Sequence, residues 1–127
     1  MDEKKLLALA HEARQKAYAP YSGMQIGAAL LAADGRVFTG CNIENASYGA
    51  TVCAERVALY KAVSEGVTEF RELAVVGSAA QPPFPCGLCR QALWEFAPNL
   101  TVYVQGASGE AMAATLADLL PSAFSID

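Results

Sequence analysis

Two short apolar runs of buried-strand type, Leu73–Gly77 and Leu100–Val104, flank a stretch of helical character, Gly87–Ala97, that stops before Pro98. Strands joined through a helix run parallel in one sheet, and a parallel pair needs cover on both faces. Upstream, Gln25–Ala32 and Arg36–Cys41 flank Ala33-Asp34-Gly35. Asp-Gly between apolar runs is a strong hairpin signal, and a hairpin adds antiparallel strands to the sheet. Residues 3–18 place Leu6, Ala10, Ala13 and Ala17 on one helical stripe that Ala19-Pro20 ends. Thr51–Glu65 reads as a helix closed by Gly66, and Ala113–Leu120 as a short last helix before Pro121. This order predicts an α/β chain, a three-layer α/β/α sandwich about a mixed sheet.

With 127 residues, no repeats and no linker-like segment, residues 1–127 are expected to form one domain. Hydrophobic residues make up 54% and charged residues 17%, which excludes a disordered chain. No apolar run approaches the roughly 18 residues of a membrane span, and Met-Asp-Glu-Lys-Lys lacks the features of a signal peptide. The expectation is a soluble, cytoplasmic protein. Net charge is −4 and the basic residues are scattered, so neither nucleic acid nor an anionic membrane is an expected partner. A small-molecule ligand is. The low charged fraction also predicts a surface partly buried against copies of the chain, a homo-oligomer.

Cysteines stand at 41, 53, 86 and 89. A disulfide framework fits poorly without a secretion signal and with this much apolar content. Cys86-Gly87-Leu88-Cys89 falls at a predicted helix start, where i, i+3 spacing puts both sulfurs on one side of the first turn and the helix dipole favours thiolates. Cys53-Ala54-Glu55 lies at a second predicted helix start. Residues two apart in a helix point about 200° away from each other, so Cys53 and Glu55 face one site only if Cys53 caps the helix with non-helical backbone. Two helix N-termini presenting thiolates can meet at one metal, and three thiolates suit zinc. A fourth ligand from Cys41 or His11 would make the site structural. Without one, an open position makes it catalytic. Cys41, at a strand end, reads mainly as a small buried apolar residue, and His11 as an exposed one.

Cys53-Ala54-Glu55-Arg56 followed by Pro85-Cys86-Gly87-Leu88-Cys89-Arg90-Gln91 resembles the cytidine deaminase family, in its short tetrameric form. The similarity extends through Ala19-Pro20-Tyr21-Ser22, Gly27–Leu31, Gly40-Cys41-Asn42-Ile43-Glu44-Asn45-Ala46, Lys61–Gly66 and Leu119-Leu120-Pro121, which is nearly the whole chain. The resemblance implies a five-stranded sheet and hydrolytic deamination of cytidine and deoxycytidine to uridine and deoxyuridine, with release of ammonia, in pyrimidine salvage. It implies one Zn2+ per subunit on Cys53, Cys86 and Cys89, Glu55 as proton shuttle, and Arg56 hydrogen-bonded to the ligand sulfurs. Asn42 and Glu44 would bind the ribose 3′-hydroxyl. Met24, Ala54, Ala46, Tyr48 and Phe124 would build the substrate pocket, some from a neighbouring subunit of a tetramer with shared active sites.

Met24 departs from the family, which has Phe there, and Leu88 replaces a smaller residue. A carboxylate at the sugar repels phosphate, which favours a nucleoside over a nucleotide. The competing readings are a deaminase of a modified cytosine nucleoside or cytosine-containing antibiotic, a zinc-stabilised binding module, and a dithiol redox protein. The binding module leaves Glu55 unexplained, and a dithiol needs no third sulfur.

Overall fold

The computed structural model describes residues 1–126. Five strands form one sheet in the order β2-β1-β3-β4-β5. They are β1 (Ile26–Ala32), β2 (Val37–Cys41), β3 (Phe70–Gly77), β4 (Thr101–Gln105) and β5 (Ala111–Thr115). Only β3 and β4 are parallel, and every other neighbouring pair is antiparallel, so the sheet is mixed. The Asp34-Gly35 turn joins β1 to β2, and the helix-linked strands are the parallel pair, as the sequence predicts.

The period-two alternation of the strands sorts their side chains between two cores. Ala28, Leu30, Leu73, Val75, Val102 and Val104 face helices α2 (Ala54–Ser64) and α3 (Gly87–Phe96), together with Ala58, Leu59 and Leu93. Ala29, Leu31, Ala74 and Val76 face α1 (Glu3–Arg14), which contributes Leu6, Leu7 and Ala10. Cores on both faces give three layers. Asp2 caps α1, its carboxylate accepting from the Lys5 N–H at 2.9 Å.

Helix α2 starts at Ala54 rather than Thr51 and β3 at Phe70 rather than Leu73, and two segments differ further from the sequence reading. Helix α1 stops at Arg14 rather than near residue 18. Tyr18 is drawn instead into a parallel bridge with Ile43, in which the Tyr18 N–H donates to the Asn42 carbonyl at 3.0 Å and the Glu44 N–H to the Tyr18 carbonyl at 2.8 Å. The predicted helix over 113–120 is strand in its first three residues and helical only in its second half. Ala111–Thr115 pairs antiparallel with β4, and only Leu116–Leu119 is helical, as α4. Ala-Met-Ala-Ala-Thr has good helix formers and no strand signal of its own, and the open edge of β4 decides its conformation.

Gly40 on β2 fixes how closely α2 approaches. A Cβ there would press into the Ala54 carbonyl and lie 2.7 Å from the Ala58 nitrogen. Only glycine lets the first turn of α2 rest on the strand, and that contact places Cys53 at the end of the sheet.

Candidate active site and metal centre

Cys53 and Cys86 are the N-caps of α2 and α3, and both keep extended backbone, at φ −73°, ψ 153° and φ −68°, ψ 170°. Cys89 follows in the first turn of α3. The three Sγ atoms lie within 4.8 Å of one another, with Cys53 and Cys86 Sγ at 3.7 Å. A tetrahedral ion with Zn–S bonds of about 2.3 Å requires sulfurs about 3.8 Å apart, so the thiols fit zinc with little adjustment. Among the described residues this is the only cluster of three or more His, Cys, Asp or Glu ligand atoms, and neither Cys41 nor His11 belongs to it. Cys41 instead faces a cleft between α1, β2 and α2, and His11 is exposed.

The electrostatics favour an anion on Cys53. A hydrogen bond from the Cys89 thiol, aided by the Arg56 guanidinium and Cys86, pulls the Cys53 thiol down to about 5. Cys89 is pushed the other way, because its proton bridges to Cys53 and its sulfur is buried. Arg56 Nη2 donates to Cys53 Sγ at 3.6 Å, and the thiolates hold the guanidinium firmly charged. Its buried Nε has no hydrogen-bond partner. Three thiolates with a divalent ion sum to −1, and a cation plus two helix N-termini are what such a charge requires.

Glu55 lies in the first turn of α2 and is 4% exposed. Burial, reinforced by the Cys53 sulfur, raises its carboxyl to about 7, against the opposing pull of its own backbone N–H and of Arg56. A carboxyl that exchanges protons near neutrality suits general acid–base work.

Glu55, Cys53 and Cys86 open on a cavity of about 320 Å³, also lined by Met24, Asn42, Glu44 and Ala54. Ser22, Ile26, Thr51, Val52, Pro83 and Phe84 complete its wall, and sequence reasoning passed over these. Phe84 had a signal, an aromatic residue immediately ahead of the Pro-Cys motif. Asn42 is 8% exposed and braces the wall. Its Oδ1 accepts from the Ile26 N–H at 2.9 Å, and its Nδ2 donates to the Met24 carbonyl at 2.8 Å. Glu44 Oε1 accepts the Tyr21 and Ser22 N–H groups at 3.0 and 3.1 Å, and Oε2 accepts the Ser22 hydroxyl. These donors, led by the hydroxyl, hold the Glu44 carboxyl below its ordinary value.

Ala46, Tyr48 and Phe124 do not line this cavity. Tyr48 is 77% exposed, meets Tyr21 edge to face at 6.2 Å, and borders an adjoining hollow that shares Ser22, Glu44 and Thr51. Phe124 is 67% exposed, and its carbonyl accepts from Gln91 Nε2. Leu88 is 68% exposed, so its size costs the metal site no space.

A family model described as the cytidine and deoxycytidylate deaminase zinc-binding region matches residues 1–105. The chain is 51% identical over 126 residues to the cytidine deaminase of Sporosarcina psychrophila, covering 98% of this chain and 93% of that one. It is 49% identical over 128 residues to that of Halalkalibacterium halodurans, covering 100% and 97%. The crystal structure of cytidine deaminase from Burkholderia pseudomallei superposes with a TM-score of 0.94 at 48% identity, over 98% of this chain and 100% of that one.

Proposed function

The chain belongs to the cytidine and deoxycytidylate deaminase family and acts as a cytidine deaminase, and from that premise we propose that it converts both cytidine and deoxycytidine to their uracil nucleosides with release of ammonia. The observation that carries the reading is a buried glutamate, Glu55, sharing one cavity with a three-sulfur cluster on two helix N-termini. Cys53, Cys86 and Cys89 hold one zinc ion per chain. When bound, zinc acts as a Lewis acid that lowers the pKa of a coordinated water toward about 7.

The rest of the chemistry falls to the chain's own side chains. A Glu55 carboxylate oxygen accepts a proton from the attacking water and delivers it to N3 of the pyrimidine as the C4–O bond forms. The carboxyl then carries the second proton of that water to the exocyclic nitrogen, the C4–N bond breaks, and ammonia leaves. The net change is addition of water and loss of ammonia. Arg56 spreads the negative charge of the sulfurs.

Glu44 and Asn42 take the sugar. With Tyr21 and Ser22 donating to it, Glu44 is an ionised acceptor that suits a ribose hydroxyl and repels a phosphate. This favours nucleosides over deoxycytidylate. Met24 and Ala54 add apolar wall beside the base.

Residues 1–127 act as one catalytic domain, and the active form is a homotetramer in which Ala46, Tyr48 and Phe124 complete a neighbour's pocket. The large apolar surfaces that Tyr48, Phe124 and Leu88 leave in solvent support this. Three reduced thiols need a reducing compartment, and no described helix is long and apolar enough to cross a membrane. On this reading the enzyme works in cytoplasmic pyrimidine salvage.

An absorbance assay with cytidine before and after zinc chelation tests substrate, reaction and metal together. Turnover lost on chelation and restored by zinc supports the reading. Metal-replete protein that releases no ammonia from cytidine but does so from cytosine, guanine or dCMP refutes the substrate.

A further inference from the structure

We propose that Phe84 is the aromatic wall against which the pyrimidine ring packs, and so a specificity-determining residue for planar bases. The inference rests on the cytidine deaminase reading and deepens it. Among the residues lining the cavity of Cys53, Glu55 and Cys86, Phe84 is the only aromatic one, and the remaining apolar wall is aliphatic or sulfur-bearing. A flat heterocycle must leave water and find a surface of its own shape. An aromatic ring supplies one with a quadrupole matched to a π-system, which Met24 and Ile26 do not.

Phe84 is also unusually well fixed for a loop residue. It stands in Pro82-Pro83-Phe84-Pro85, where each proline locks its own φ, and Pro82 and Phe84, each preceding a proline, are kept from helical backbone. The Phe84 N–H donates to the Pro82 carbonyl at 3.1 Å, and its side chain packs on the core beneath α2 and α3. Pro83 presses against Gly77 at the end of β3, where a Cβ would lie 3.0 Å from Ile26 Cδ1 and 3.1 Å from Pro83 Cβ. On the far side Pro85 is fully buried, and its carbonyl accepts from Arg90 Nε at 2.7 Å. Arg90 Nη1 donates in turn to the Leu119 carbonyl, also at 2.7 Å, which ties the segment to α4. The strap is held at both ends. Met24, by contrast, is 46% exposed on an unbranched, flexible side chain, so the rigid face of the pocket is the one that Phe84 provides.

The test compares Phe84→Leu and Phe84→Tyr with the parent in cytidine kinetics, with zinc content and melting temperature measured alongside. Loss of the stacking face should raise KM in Phe84→Leu roughly tenfold while kcat stays within about threefold, and Phe84→Tyr should return KM to near the parent value. Inhibition by uridine and by 5,6-dihydrouridine separates stacking from mere filling, because the second ring is saturated and puckered. Phe84→Leu should weaken uridine about fivefold more than dihydrouridine. Equal weakening of both, or an unchanged KM in zinc-replete Phe84→Leu, overturns the role. A parent that binds zinc yet never deaminates cytidine refutes the activity itself, whereas an active parent with an indifferent Phe84→Leu refutes only this inference.

Discussion

Glu55 and Cys53 stand two residues apart and still reach one cavity, because Cys53 keeps extended backbone at the cap while Glu55 is already inside the helix. The sequence shows this as a geometric condition, since residues at that separation within a helix diverge. Glu55→Gln keeps the shape and removes the exchangeable proton. It is expected to retain zinc, read by elemental analysis, and to lose kcat by at least about a hundredfold. Arg56→Gln withdraws the cation from the Cys53 sulfur, and zinc affinity measured by chelator competition should fall roughly 10–100-fold. Glu44 supplies the pH prediction. Its folded-state value lies below the ordinary 4.5, so it contributes stability above that pH that is lost as pH falls through the lowered value. Carbon-detected NMR should show Glu44 titrating below its unfolded value in the parent and moving up toward 4.5 in Ser22→Ala. No upward movement would remove the Ser22 hydroxyl as the cause. The three donors to Glu44 were not legible beforehand, since Tyr21 and Ser22 precede it by more than twenty residues and only the fold brings them together.

At the scale of elements, local pattern and local structure agree wherever a segment carries its own signal. The Asp-Gly hairpin, the parallel pair β3 and β4, and the helices that begin at Cys53 and Cys86 are of this kind. Agreement fails at 113–115, where helix-forming residues join β5 because β4 offers unpaired backbone groups, while Leu116–Leu119 is helical as expected. It fails again at residues 15–18, which leave the helical stripe so that Tyr18 can pair with Ile43. The seat of α2 on β2 gives an element-scale prediction. Gly40→Ala forces a methyl against backbone atoms of Ala54 and Ala58, and should cost roughly 1–3 kcal/mol in denaturant unfolding and weaken zinc binding by displacing Cys53. Gly49→Ala meets no atom within 4 Å and serves as the neutral control. Equal stability of the two variants would contradict the close seating of the helix.

For the whole molecule, neither of the hydrophobic clusters on the two faces of the sheet includes Cys53, Cys86 or Cys89. Chelation should therefore abolish turnover while leaving the far-UV circular dichroism spectrum intact, and zinc should restore activity. Exposed Tyr48 and Phe124 make a matching prediction for assembly: mass photometry should find a tetramer, and Tyr48→Ala should reduce activity with zinc content unchanged. A fully active monomer would refute the shared pocket. The type and order of most elements were readable in the linear chain, as were Cys53-Ala54-Glu55 and Cys86-Gly87-Leu88-Cys89 as candidate motifs at two helix starts, because each of these depends on residues a few positions apart. The distance between the Cys53 and Cys86 sulfurs, the clamp on Glu44, the strap that fixes Phe84 and the fifth strand were decided only by tertiary structure. These depend on which segments the sheet sets side by side, and contact between distant segments is governed by packing rather than by local propensity.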